Sequence, residues 1–368
     1  ATISADTADA DGALVAIDIN VTGEVSFSNT NLPALTARTS GAGDAGDIVI
    51  SSGSLNATFG KDPFTDPLHV SLIDSHTMGS GHGGNVTITT GALTATNVPS
   101  LENGNFILSG TGGDGKGGDV TITAGDAQFT SIMIDTGGVT TFFGPGAAGN
   151  LTVKAQSLVL DNVVWGIDSM SRAGSINIES AGLLSIRNGS IISSQSLLGD
   201  NPITITADRF VLDNHTQILA TTVLENGGDV LVTSRTVEFS NSGLIATQTF
   251  GDGKAGNIII RASEQVSFID NPTMSTSLPP SGLYTTSLGG AGNFGDAGNI
   301  TVTTPRLELF TGARINASTF TSGEGGNVKI TNANSVLMTG ERSSLLGVEE
   351  QFVQGGTNAS GIYTSTLG

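Results

Sequence analysis

Cysteine is absent from the 368 residues, which excludes disulfides, thiolate metal sites and cysteine nucleophiles. One Trp and two Tyr leave few of the flat side chains on which sugar-binding clefts stack their ligands. Lys and Arg number 14 against 33 acidic residues, for a net charge of −19, and a field of that sign repels phosphate backbones and anionic lipid surfaces. Nucleic-acid binding and direct lipid binding are therefore set aside. Charged residues make up only 13% of the chain, which disfavours both a helical bundle and a disordered polymer. The sequence contains no run of roughly 18 apolar residues, and it opens at Ala1 without the charged and apolar regions of a signal peptide. If the protein is exported, its targeting segment was removed or lies outside this chain.

Glycine is abundant instead, at 52 residues, and Val, Ile and Thr recur throughout, so an all-β, turn-rich fold is expected. The glycines follow a repeat. A Gly, then Asn or Asp, then alternating β-branched residues appears as Gly46-Asp47-Ile48-Val49-Ile50, Gly84-Asn85-Val86-Thr87-Ile88, Gly118-Asp119-Val120-Thr121-Ile122 and Gly149-Asn150-Leu151-Thr152-Val153. It returns at Gly174-Ser175, Gly228-Asp229, Gly256-Asn257, Gly298-Asn299 and Gly326-Asn327, with degenerate copies at Gly12 to Ile17 and Asn201 to Ile205. Each unit carries three short alternating segments, as in Ile258 to Arg261, Val266 to Ile269 and Leu283 to Thr286. A Gly-rich turn precedes the anchor. A turn such as Asp161-Asn162, Arg187-Asn188 or Thr311-Gly312 follows the second segment, built from residues that tolerate left-handed backbone angles.

A unit that returns at the same phase every 25–35 residues or so brings its strands back in parallel, which two-residue hairpins cannot do. The expectation is a right-handed parallel β-helix solenoid with three strands per coil and about eleven coils, a rod on the order of 50 Å long. Residues 1–368 read as one continuous solenoid. Alternation sends one apolar row per strand inward, and the anchor residues Asp47, Asn85, Asp119, Asn150, Asp229, Asn257, Asn299 and Asn327 should stack as a hydrogen-bonded ladder. Both ends of the sequence, at Ile3-Ser4-Ala5 and Ile362-Tyr363-Thr364, fall at a third-strand phase, which suggests a segment of a longer array or a subunit that stacks end to end.

The anchor, the second strand and the Ile-x-Ala-Ser third strand, as in Ala297-Gly298-Asn299-Ile300-Thr301-Val302, Leu307-Glu308-Leu309 and Gly312-Ala313-Arg314-Ile315-Asn316-Ala317-Ser318, resemble the repeats of filamentous-haemagglutinin-like exoproteins, above all the large cyanobacterial ones. The resemblance covers nearly the whole chain. It implies a bacterial protein of the cell exterior or outer surface, secreted through a two-partner pathway, and serving as an adhesin or surface fibre. The amino-terminal secretion domain of such proteins is not recognisable here.

Parallel β-helices also carry glycan-active enzymes, so individual residues must be weighed. Asp135 and Asp168 share a third-strand phase on consecutive coils, and Asp74 sits in the similar Ile73-Asp74-Ser75. They read either as a carboxylate row for catalysis or Ca²⁺, or as outward polar positions of an alternating strand, and the second reading is preferred. No catalytic residue and no cofactor is assigned. Asp44, Asp114, Asp252, Asp296 and Glu324 recur in the Gly-rich turns and are weak Ca²⁺ candidates. His69, His76 and His82 lie close in sequence but read as exposed histidines. Asp161, Arg187 and Asp213 should form a solvated charge ladder. Insertions at 59–69, 97–105, 270–281 and 340–359 should project from one corner, and Phe59, Phe64, Leu101, Met274, Leu278, Leu345, Leu346 and Phe352 are the candidates there for partner contact or for packing over the flank. The sequence thus points to a structural or adhesive rod without enzymatic activity, whose partners are further copies, end to end or lateral, or a cell-surface glycan. A glycan-active enzyme and a Ca²⁺-dependent carbohydrate-binding module remain as alternatives.

Overall fold

The computed structural model describes residues 3–7, 15–30, 34–59, 71–97, 104–137, 146–199, 201–271, 279–288, 295–341 and 359–366. All regular structure among the described residues is β, and the strands pair in parallel into sheets that wind a β-solenoid. The chain forms two compact units, Ala1–Ser180 with Ile192–Ser196, and Ala181–Ile191 with Leu197–Gly368.

In the first unit one sheet takes in order Ile3–Ser4, Leu35–Thr36, Ser71–Asp74, Gly104–Leu108, Ile132–Asp135 and Val164–Arg172. The other takes Val15–Asn20, Asp47–Phe59, Val86–Asn97, Val120–Thr130, Leu151–Ala155 and the start of Ile176–Arg187. Register follows the anchors. Ile48, Val86, Val120, Leu151 and Ile176 are successive partners, as are Ile50, Ile88, Ile122, Val153 and Ile178, and all are fully buried. Each such side chain contributes about 1.5–3 kcal/mol of hydrophobic burial. Phe106, Phe129 and Trp165 stack edge to face through the core, with ring centroids 6.1 and 5.2 Å apart, so the single Trp is packing material.

The second unit repeats the plan. Gln217–Thr222, Leu244–Thr249, Gly282–Ser287, Arg314–Thr319 and Gly361–Tyr363 form one sheet, while Ile203–Asp213, Val230–Ser240, Ile258–Ile269, Ile300–Thr303 and Val328–Thr331 follow one another in the other. Phe239 and Phe268, partners in adjacent strands, lie face to face at 4.5 Å.

Polar side chains close the coils. Ser75 Oγ donates to the carbonyl of Gly46 and Ser109 Oγ to that of Gly84, both at 2.6 Å, while the N–H groups of Gly84 and Gly118 donate to the carbonyls of Ser75 and Ser109. Buried Ser75 and Ser109 thus satisfy the anchor carbonyl that precedes them in the chain, while Thr136, Thr247 and Thr285 donate to the one that follows, of Gly149, Gly256 and Gly298. The anchor glycines are required by proximity: a Cβ on Gly84, Gly118 or Gly149 would overlap the carbonyl of Gly46, Gly84 or Gly118 respectively.

Asp47–Phe59, Val86–Asn97 and Val120–Thr130 each run through the expected first and second segments, and their register is the same on either side of the stacked glycines Gly53, Gly91 and Gly125. One expectation is corrected. The third strands are not buried on one face only. Every residue of Ser71–Asp74, Gly282–Ser287 and Arg314–Thr319 is buried, so inward/outward alternation does not translate into buried/exposed there. The turn after the second strand is as expected, with Asn162, Asn188, Asn214 and Asn241 at φ 54, 60, 55 and 50°.

Candidate functional site

The anchor ladder is present in both units, with one bond type dominating. Asp47 Oδ1 accepts the backbone N–H of Asn85 at 2.7 Å, Asn85 Oδ1 that of Asp119 at 2.9 Å, and Asp119 Oδ1 that of Asn150 at 2.8 Å. Asp229, Asn257, Asn299 and Asn327 repeat it. The same device occupies the Gly-rich turns that supplied the Ca²⁺ candidates: Asp44 Oδ1 accepts the His82 N–H at 2.6 Å and Asp296 Oδ1 the Glu324 N–H at 2.7 Å. Those carboxylates serve the backbone. Asp44, Asp114, Asp252 and Glu324 are exposed, and among the described residues no group of three or more His, Cys, Asp or Glu could hold a metal ion.

Buried titratable groups occur in both units, with Asp270, Glu308 and Arg314 in the second; those of the first unit gather on two columns of its third-strand sheet. One column runs Ser4, Thr36, Asp74, Leu108, Asp135 and Gly166. The other stands one residue before the bridged threonines Thr7, Thr39, Thr77 and Thr111, and so holds Asp6, Arg38, His76 and Gly110. Asp74, between the buried Ile73 and Ser75, is 0% exposed, and His76 is 1% exposed. The reading of His76 as an exposed histidine is overturned. His82 is exposed as expected, and its Nδ1 accepts the Lys116 N–H at 2.8 Å.

Asp74 organises this cluster. Its Oδ1 accepts the backbone N–H of His76 at 3.3 Å and pairs with His76 Nδ1 at 2.5 Å, while Oδ2 stands 3.8 Å from Arg38 Nη1. The Arg38 backbone N–H donates to Asp6 Oδ1 at 2.9 Å, and its guanidinium reaches Asp6 Oδ2 at 3.4 Å. Burial pushes the Asp6 carboxyl up, but the Arg38 N–H, the Ser4 and Thr36 hydroxyls and the Arg38 charge outweigh it and hold the group below the usual carboxylate range. A cleft of about 240 Å³ opens here, lined by Asp6, Thr7, Arg38, Ser40, His76 and Met78.

Further along the same columns, Asp135 is 6% exposed and Asp168 half-buried. Asp135 pairs in register with Gly166, two residues before Asp168, so the two carboxylates do not share a phase as the sequence suggested. Burial pushes Asp135 up to about 7, against the Gly137 N–H that donates to its Oδ1 at 2.7 Å and with help from the neighbouring Asp168 charge. Burial alone takes Asp168 to about 6. A pair of carboxyls that titrate near neutrality can hold or release a proton under mild conditions.

Of the partner-contact candidates, Phe64, Leu101, Met274, Leu278, Leu345, Leu346 and Phe352 lie outside the described residues, as does His69, and Phe59 is described only as the backbone end of Asp47–Phe59. No family model, curated protein or solved structure matches the chain.

Proposed function

We propose that the protein is a structural or adhesive β-solenoid of the bacterial cell exterior, akin to filamentous-haemagglutinin-like exoproteins, and that it is not an enzyme. In this reading the coils are right-handed, since parallel crossovers almost always are, with three strands per coil and about eleven coils. The observation that carries it is the use made of polar side chains: the repeated Asn, Asp, Ser and Thr residues are hydrogen-bonded to the backbone of the adjoining coil instead of converging on a reacting centre. Stiffness and length are what such an arrangement supplies. Partners are further copies, met end to end or laterally, or a cell-surface glycan.

A second reading, a glycan-active enzyme, is favoured by one observation, the raised carboxyls of Asp135 and Asp168, since glycoside hydrolysis uses an acid that keeps its proton near neutrality. One assay separates the two. The full chain is incubated with a panel of plant, algal and bacterial polysaccharides, and new reducing ends and unsaturated products are measured. The scaffold reading expects none, with beads coated in the chain adhering to cells or glycan surfaces. Product release that disappears in Asp135→Asn establishes the enzyme instead. Electron microscopy of the native material at rising concentration separates isolated rods from filaments or lateral bundles.

A further inference from the structure

The Asp74–His76 pair is not demanded by the fold, and the repeat itself provides the control. In the next coil the register positions of Asp74 and His76 are filled by Leu108 and Gly110, and in the preceding coil by Thr36 and Arg38. The solenoid is continuous through all three. A buried carboxylate and imidazole carry a desolvation penalty that Leu and Gly avoid, and Asp74 Oδ2 receives no hydrogen bond even so. A costly local departure from a tolerant repeat, beside a cleft, is the mark of a site.

The chemistry of the walls narrows the ligand. Asp6 contributes an acceptor, Arg38 a fork of donors, His76 an imidazole whose Nδ1 is engaged by Asp74, Thr7 and Ser40 hydroxyls of either role, and Met78, 41% exposed, an apolar surface. An anion would meet Asp6, with Asp74 behind it, and a chain charge of −19. A cation would meet Arg38. What satisfies closely spaced donors and acceptors without net charge, against one apolar face, is a compound rich in hydroxyls. The volume, about 240 Å³, suits one small ring rather than an extended chain.

We propose that the cleft between Asp6, Arg38 and His76 binds a neutral pyranose unit through vicinal hydroxyls, one donating to the Asp6 carboxylate and its neighbour accepting from the Arg38 guanidinium. Asp74 is a positioning residue: it fixes the His76 ring and holds Arg38 at the rim. The site is independent of the scaffold reading. It requires only that the first unit be folded, so a chain that forms no rods and adheres to nothing still binds sugar if the inference holds.

The test uses the full chain with methyl β-D-galactoside, methyl α-D-mannoside and methyl β-D-glucoside as probes, and sodium galacturonate as the charged comparison. Saturation-transfer NMR reports binding, and the ¹⁵N shift of the Arg38 side chain reports its location. At least one neutral pyranoside should saturate and move the Arg38 signal, and galacturonate should bind more weakly. The double substitution Asp74→Leu with His76→Gly installs the pair that the next coil already accommodates. It should fold with an unchanged circular dichroism spectrum and a melting temperature no lower than that of the parent, while binding weakens by about tenfold or more. If that variant does not fold, Arg38→Gln removes the donor fork at a position whose side chain is 31% exposed, and the same loss is expected. No response of Arg38 to any neutral pyranoside, tighter binding of galacturonate, or undiminished binding in a folded variant each overturns the inference.

Discussion

Ser109 Oγ donates to the carbonyl of Gly84 at 2.6 Å, and the same two oxygens are the atoms that a Cβ on Gly118 would strike. Two successive anchors and the third strand between them meet at this point, so it tests the closure of the repeat directly. Ser109→Ala leaves the Gly84 carbonyl buried without its donor and should lower stability by about 1–3 kcal/mol. Gly118→Ala forces backbone apart from backbone and should cost roughly 3 kcal/mol or more. Urea denaturation followed by circular dichroism gives both values, and equal, negligible effects would mean that the closure is not stabilising.

The acid pair sets a pH dependence whose sign is opposite to the usual carboxylate case. Asp135 and Asp168, at about 7 and about 6 in the fold, lie above the ordinary value of 3.8. The native state therefore retains protons that the unfolded chain releases. Their contribution is complete below an ordinary carboxylate pKa of about 4 and is lost as pH rises through about 6 to 7. Asp135→Asn keeps an acceptor for the Gly137 N–H and removes the titration. It should raise stability at pH 8 by on the order of 2–4 kcal/mol and leave it little changed at pH 4. Denaturant midpoints for parent and variant across that range decide the matter, and parallel pH profiles would refute it.

In the anchor ladder no Asp follows an Asp: the first unit runs Asp47, Asn85, Asp119, Asn150 and Ser175, and the second Asp229, Asn257, Asn299 and Asn327. Asn85 donates its Nδ2 to Asp47 Oδ1 at 3.1 Å and accepts from the Asp119 N–H. Asn85→Asp removes that donor and places a carboxylate between two others. A loss of about 1–3 kcal/mol at neutral pH is expected, shrinking as the solution is acidified through the carboxylate range. Asn85→Ser should be milder, about 1 kcal/mol, since Ser175 already donates both its N–H and its hydroxyl to Asn150 Oδ1 at 2.9 Å in the same column. Thermal melts at two pH values distinguish these outcomes.

Asp270 is 3% exposed and ties the base of the 270–281 insertion to the coil before it. Its Oδ1 accepts the Ser242 N–H at 3.0 Å and the Ser281 hydroxyl, and its Oδ2 accepts the Ser281 N–H at 2.9 Å. Asp270→Ala strands these buried donors and should lower stability by about 2–4 kcal/mol. Ser281→Ala removes one bond of the three and should cost about 1 kcal/mol. If both variants melted with the parent, the carboxylate would be dispensable to the neck.

The architecture was legible because its signal is repeated. Gly84-Asn85-Val86-Thr87-Ile88 states in five residues a close approach, a ladder bond and an alternating buried row, and its copies hold the same register. The run of Val86–Asn97 through Gly91 was harder to see, because Gly91 looks like punctuation in a sequence, whereas in the fold it stacks on the Gly53 carbonyl with the register kept on both sides. Burial at Asp74 could not be read at all. Alternation gives a side chain's direction, whereas solvation depends on what lies over it. The cleft was hidden for a related reason, since Asp6, Arg38 and His76 become neighbours only through the parallel register of coils more than thirty residues apart. One trace of it was present: three histidines crowded into a stretch of a chain that holds four.

Where Gly84, Gly118 and Gly149 each ride on the carbonyl of the coil beneath, the separation between coils is fixed by main chain resting on main chain, whatever the side chains elsewhere. Each outward column in the first unit then acts as a ruler graduated at about 4.8 Å, the ordinary spacing of paired strands. Residues can be exchanged along such a column without altering its graduations. A solenoid of this kind can therefore acquire or discard a recognition patch by point substitution, and keep the distance between patches as a whole number of steps.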